Sequence, residues 1–273
     1  MRPNARVPGF TLVEILVVMV VGSLLLAAIY QALVAQQRGY NLQREMVMSR
    51  QATRTTLEVV TTELREISAS GGDLIKASPG EVTFRAYRKF GVICDPGSAG
   101  VPFEVVELGE PFTQNSDSVV VFVENNPERM DDDDWAFAQV GSISAGSCVL
   151  GGKRARRIDL HGLGGASGIY AGAPIRSFEH LTYGRYLVDG EWVLGRIGAD
   201  GEIVPLIGPL APDDEGLVFR FFDEDGDEFV PNTPADRASV RRIQVEVRAS
   251  PIGRGEVTDS LITQIQLRGN AWQ

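Results

Sequence analysis

The sequence predicts an α+β protein in which one long N-terminal helix, membrane-spanning in its first half, packs its second half on an antiparallel β-sheet domain. Three observations carry this. From Phe10 to Ile29 the only strongly polar side chain is Glu14, with Thr11, Gly22 and Ser23 small enough to be tolerated. About twenty such residues in helix rise roughly 30 Å, the thickness of a bilayer's hydrocarbon core. Past Ile29 the pattern becomes amphipathic, with Leu57, Val60, Leu64 and Ile67 at spacings of three and four. From residue 80 onward the hydrophobic period falls to two.

The helix is predicted as one piece from Phe10 to Ser68. No proline interrupts Pro8 to Pro79, strong helix formers fill the positions between the apolar ones, and Ser70-Gly71-Gly72 ends the pattern. Gly22 and Gly39 are its weak points, each costing about 1 kcal/mol relative to Ala. The strands follow. Glu81 to Tyr87 alternates, and Ser118 to Glu124 reads as a buried strand. Arg157 to Leu160, Glu191 to Leu194 and Leu217 to Phe222 are further candidates. Two closing strands, Ser239 to Arg248 and Val257 to Arg268, are joined by the turn signal Ser250-Pro251-Ile252-Gly253. Strand following strand without a long helical insert gives an antiparallel sheet. Loops rich in Gly, Asp or Pro at 94–102, 125–134 and 162–174 are expected to be exposed and mobile.

A carboxylate inside an apolar helix is costly in lipid and is there for a partner. A secretory signal peptide accounts for the basic start at Arg2 and Arg6, but its core would be too long, and the exit Leu26-Ala27-Ala28 places a bulky Leu where a small residue is needed. A plain single-pass anchor accounts for the length and leaves Glu14 unexplained. Gly9-Phe10-Thr11-Leu12-Val13-Glu14 resembles the processing site of type IV prepilins and type II secretion pseudopilins. In that family a short basic leader ends in Gly, the mature chain begins with Phe, and its fifth residue is Glu.

The resemblance implies a pilin-like fold and four segments: a leader at 1–9, a transmembrane and assembly half of the helix at 10–30, an amphipathic half at 31–70, and a β-rich domain outside the cytoplasm at 71–273. It implies cleavage by prepilin peptidase between Gly9 and Phe10, methylation of the new Phe10 ammonium, and pairing of Glu14 with that ammonium on a neighbouring subunit. Gly9 has no Cβ to obstruct the peptidase, and Pro8 keeps the preceding leader extended. The partners implied are the peptidase, other pilins or pseudopilins, and the inner-membrane assembly platform. The closing strands, with Gln266-Leu267-Arg268 and Asn270, resemble the PilW-type minor pilins of type IV pili and the J-type pseudopilins of type II secretion. Gly269 departs from the adjacent Arg-Asn expected there.

The chain carries a net charge of −10, which argues against a general nucleic-acid role and suits a solvated exported domain. Arg2 and Arg6 precede the apolar run and the next basic residue is Arg38, so the first residues stay cytoplasmic and 31–273 lie outside. Cys94 and Cys148, the only cysteines, are then either a disulfide or two buried thiols. Asp223-Glu224-Asp225-Gly226-Asp227-Glu228 offers Asp223, Asp225 and Asp227 as a calcium candidate. An EF-hand loop begun at Asp223 would need Gly sixth and Glu twelfth, where this chain has Glu228 and Pro234. An Asp-Gly hairpin turn is the competing reading. His161 and His180 have no metal-ligating neighbour at ligand spacing, and Asp131 to Asp134 reads as a solvated acidic loop. Lys153-Arg154-Ala155-Arg156-Arg157 is the one basic cluster, a charged strand face or an anion contact. No nucleophile elbow, dinucleotide fingerprint or Walker loop occurs, so no cofactor and no enzymatic activity is expected. An exported adhesin or binding protein merely anchored by its helix is the reading from a different class.

Overall fold

The computed structural model describes residues 11–97, 102–129, 133–163, 168–211, 216–249 and 259–268. Helix α1 runs Leu12–Arg65, 54 residues and about 80 Å long. Among the described residues thirteen strands follow, with one short helix among them. They are β1 Leu74–Ser78, β2 Glu81–Asp95, β3 Phe103–Glu107, β4 Ser118–Val123, β5 Asp134–Leu150, β6 Lys153–His161, β7 Pro174–Val188, β8 Glu191–Ile197 and β9 Ile203–Ile207. Then come β10 Leu217–Phe222, β11 Glu228–Phe229, α2 Pro234–Ser239, β12 Arg242–Ala249 and β13 Asp259–Gln266. All pairings are antiparallel.

The helix stripe predicted from Leu57, Val60, Leu64 and Ile67 is buried, against β1, the first half of β2, the second half of β7, β8 and the four-stranded sheet β11-β10-β12-β13. The helix ends where Glu66 N–H turns back to Glu63 O. Buried Asp73 then joins that end to the sheet: its carboxylate accepts from Ser68 N at 2.8 Å and from Tyr87 Oη at 2.7 Å, with Arg85 at 3.8 Å. Burial holds the Asp73 carboxyl above its ordinary range in spite of those donors. Burial and the Asp73 charge push the Tyr87 hydroxyl up as well, which keeps it a proton donor.

The larger sheet does not stay open. Strands β2, β3, β6, β5, β4 and β7 pair in that order, and β7 returns to β2, closing a small barrel. The barrel has its own core, built from Ile93, Val105, Val119, Val121, Ile158 and Ile175 among others. Strand β2 serves both cores. Val82, Phe84 and Ala86 face the helix, whereas Gly91 and Ile93 face the barrel interior. The parity changes at a bulge, where Tyr87 pairs with Phe178 and Phe90 with Arg176, so that Arg88 and Lys89 oppose Ser177 alone. The buried Ser177 hydroxyl accepts the Lys89 N–H at 3.0 Å. Gly91 follows immediately, and a Cβ there would lie 2.8 Å from Val105 Cγ1.

A second irregularity closes the far side. Between Ala145 and Val149 β5 loses register with β6, and Glu104 of β3 takes the freed amides: Ser147 N at 2.9 Å and Cys148 N at 2.6 Å. Arg157 completes the carboxylate's partners at 2.9 Å. These donors, the Cys148 amide foremost, bring the Glu104 carboxyl down to about 2. Beside it Cys94 of β2 is disulfide-bonded to Cys148 of β5, Cα–Cα 6.4 Å, across a sequence separation of 54. Loop entropy assigns a bond of that span about 4 kcal/mol.

Several expectations change here. The segment 162–174 is no free loop in its described part: Ile169 and Ala173 are buried in the barrel core, Gly172 N donates to Ile93 O, and Pro174 begins β7. Cys94 and Asp95 still belong to β2, and Asp134 opens β5. The first closing strand starts at Arg242 rather than Ser239, because Pro234–Ser239 is helical with a Thr233–Asp236 capping box. The turn 250–253, Asn270 and Gly269 lie outside the described residues.

Replacing fully buried Leu64 by Ala should lower stability by about 3 kcal/mol, read as a shift in the urea midpoint. The depressed Glu104 carboxyl contributes stability that is present above the ordinary carboxylate range and is lost as pH falls toward 2. Glu104→Gln should therefore be less stable than the parent at pH 7, and the gap should close on acidification when urea unfolding is followed between pH 7 and pH 2.

Candidate functional site

Thr11 caps α1, and the cap defines the surroundings of Glu14. Glu14 N donates to Thr11 Oγ1 at 3.3 Å, while Glu14 Oε2 accepts from Thr11 N at 3.1 Å and from Thr11 Oγ1 at 3.0 Å. This reciprocal capping box satisfies two helix N-terminal donors within the chain itself. The Thr-x-x-Glu spacing in the sequence was the available signal for it. Among the described residues' hydrogen bonds Oε2 carries both and Oε1 carries none. Glu14 therefore has one oxygen engaged locally, at the positive end of the helix dipole. Gly9 and Phe10 lie outside the described residues.

Around Glu14 the helix presents its apolar side chains outward. Leu12 is 81% exposed, Met19 70% and Leu26 69%, and the exposure continues through Ile29 and Leu33 to Met48. Within the described residues this is the one helix long and apolar enough to cross a membrane, and none of that window is buried inside the protein. An apolar surface of this size is stable only when lipid or other helices cover it.

The other candidates resolve differently. At Asp223, Asp225 and Asp227 the chain forms the hairpin turn between β10 and β11: Asp223 Oδ1 accepts from Asp227 N at 2.9 Å, Asp223 N donates to Asp227 O, and Gly226 sits at φ +88°. One carboxylate is thus spent on the turn, and among the described residues no three His, Cys, Asp or Glu side chains are placed to hold a metal ion. Asp131 lies outside the described residues. His161 covers Gly141, where a Cβ would lie within clashing distance of its ring, and Asp159 is 3.7 Å away. His180 stands beside Phe178, and partial burial followed by the charge of Arg85 holds its imidazole below the ordinary range. In the basic cluster Ala155 is buried, Arg156 pairs with Glu107 at 3.1 Å and Arg157 with Glu104. Those two cations are neutralised, so the cluster reads as a strand face.

Residues 5–30 match the prokaryotic N-terminal methylation motif. Neither a curated protein nor a solved structure matches the chain. The motif and the long apolar N-terminal helix support the type IV pilin or pseudopilin class, with prepilin cleavage and methylation and a single-pass membrane anchor. They fit an inner-membrane-anchored protein and a structural subunit rather than an enzyme, one that is processed by prepilin peptidase and assembles with other pilins.

Calcium is expected to leave the melting temperature of the parent chain unchanged. Asp223→Ala should lower stability by about 1 kcal/mol through the lost turn bond, while Asp225→Asn should be neutral, both read by thermal unfolding.

Proposed function

We propose that this chain is a minor pilin-like subunit of a type IV pilus. The leader 1–9 is removed between Gly9 and Phe10, residues 10–30 hold the chain in the cytoplasmic membrane, 31–70 continue the helix, and 71–273 form the domain outside the cytoplasm. The observation that carries this reading is the uncovered apolar surface of α1 from Leu12 to Leu33 with a single carboxylate at its start. In the membrane lipid covers that surface. In a filament the helices of neighbouring subunits replace the lipid, at little change in hydrophobic energy, so packing and one polar pair decide register.

Glu14 supplies that pair. Its Oε1 accepts from the methylated Phe10 ammonium of an adjacent subunit while Oε2 stays on Thr11. A buried charge left without its partner is strongly destabilising, so an incoming subunit docks only where the ammonium is met. The bulk of the domain, two sheets and two cores beyond the helix, suits a tip or priming position better than a repeat along the shaft. A J-type pseudopilin of type II secretion shares each of these features, and the genes beside this one separate the two assignments.

Mass spectrometry of the mature chain should find a methylated Phe10 as the first residue. Glu14→Leu should leave membrane insertion intact and lower incorporation into fibres by about tenfold or more. Undiminished incorporation would overturn the pairing, and a full-length chain in a host with active prepilin peptidase would favour a plain anchor.

A further inference from the structure

The β2 bulge does more than change parity. It turns Arg88 and Lys89 outward at the foot of α1, where with Arg65, Arg176 and Arg268 they line an open cleft of about 470 Å³. The cleft is basic on a chain of net charge −10. Two of its cations are neutralised already. Arg88 pairs with Glu63 of the helix and Glu179 of β7, and Lys89 with Asp117 at 2.6 Å. Arg65, Arg176 and Arg268 have no carboxylate within ion-pair distance among the described residues, and Glu66 is the one acid in the lining. Arg88 is shared between two carboxylates, so the five cations exceed Glu63, Glu66, Asp117 and Glu179 by one, and Arg65, Arg176 and Arg268 are the guanidinium groups left to carry it.

Aromatic rings flank it. Arg176 lies over Tyr87 at 5.6 Å, Phe90 at 5.8 Å and Trp135 at 4.9 Å, which fixes its fork in place. Arg65 and Arg268 are exposed at the mouth. Guanidinium forks held this way bind carboxylates bidentately, and Tyr87 and Phe90 offer apolar walls to the stem that carries them.

We propose that this cleft docks an acidic peptide segment, one carrying two or more carboxylates, on a neighbouring subunit. The inference rests on the assembly reading for the neighbour's identity, since lateral packing along α1 brings another chain's domain beside residues 65–66. Charge selects the occupant. The forks of Arg65, Arg176 and Arg268 can take two carboxylates, whereas an extended nucleic acid brings far more negative charge than a surplus of one offsets.

The direct test uses the full-length chain in detergent micelles and a fluorescein-labelled hexaglutamate peptide followed by fluorescence polarisation. Saturable binding that weakens with added salt is expected. Arg65→Glu with Arg268→Glu should weaken it by about tenfold or more, whereas Arg65→Lys with Arg268→Lys retains most of it and Arg154→Glu on the β6 face leaves it unchanged. No saturable binding, equal binding by the Arg65→Glu, Arg268→Glu variant, or tighter binding of a single-stranded oligonucleotide of equal charge would overturn the proposal. Melting temperatures of both double variants should match the parent, as both side chains are exposed. In the host, the charge-reversed variant should be methylated at Phe10 yet enter fibres less. Normal incorporation would overturn the neighbouring subunit as the source. The micelle assay requires neither processing nor fibres, so an unmethylated N-terminus would defeat the assembly reading and leave the peptide-binding result standing.

Discussion

An extra residue in β2, at Arg88–Lys89, lets one continuous strand serve two cores. Without it the alternation begun by Val82, Phe84 and Ala86 would carry on and turn the wrong face of the strand into the barrel, because a one-residue slip exchanges inside for outside. The bulge is tolerated because its freed amide finds a partner, the buried Ser177 hydroxyl. The same logic governs the opposite wall of the barrel, where Glu104 receives the amides that β5 releases. Both irregularities lie in strands of the barrel, and in each a side chain takes the amides that leave the ladder.

This arrangement separates two duties along the chain. The helix and the sheet under it form one core, with Asp73 and the Arg88 ion pairs fastening the helix end to β2. The barrel lies beyond that core, held by its own apolar interior and the Cys94–Cys148 bond. The helix's first half stays free of intramolecular contacts and exposes its apolar residues, which makes it available to lipid or to other helices. Stability of the domain and assembly through the helix are thereby carried by different residues. Leu64 and Glu104 hold the fold, whereas Glu14 holds the start of the helix.

The capping box at Thr11 refines the role of Glu14. A carboxylate at the first turn of a helix already has a local function, since it accepts the backbone N–H of Thr11. The helix start is thus held by contacts within the chain itself.

The sequence by itself determined the elements whose signal is local and periodic. The helix and its buried face at Leu57, Val60, Leu64 and Ile67, the strands around 81–87, 118–123 and 217–222, and the Asp-Gly turn at 225–226 follow from spacing and turn chemistry. The Thr11 and Thr233 capping boxes were written there too, in Thr-x-x-Glu and Thr-Pro-x-Asp. Strand β5 was not legible, because Val140-Gly141-Ser142-Ile143-Ser144-Ala145-Gly146 has weak strand preference and is held extended by its pairing with β6. The closing of the barrel, the shared strand and the gathering of Arg65, Arg176 and Arg268 into one cleft were decided by tertiary structure alone. Each depends on pairing between residues far apart in the chain, and no local periodicity encodes which distant strand will supply the partner.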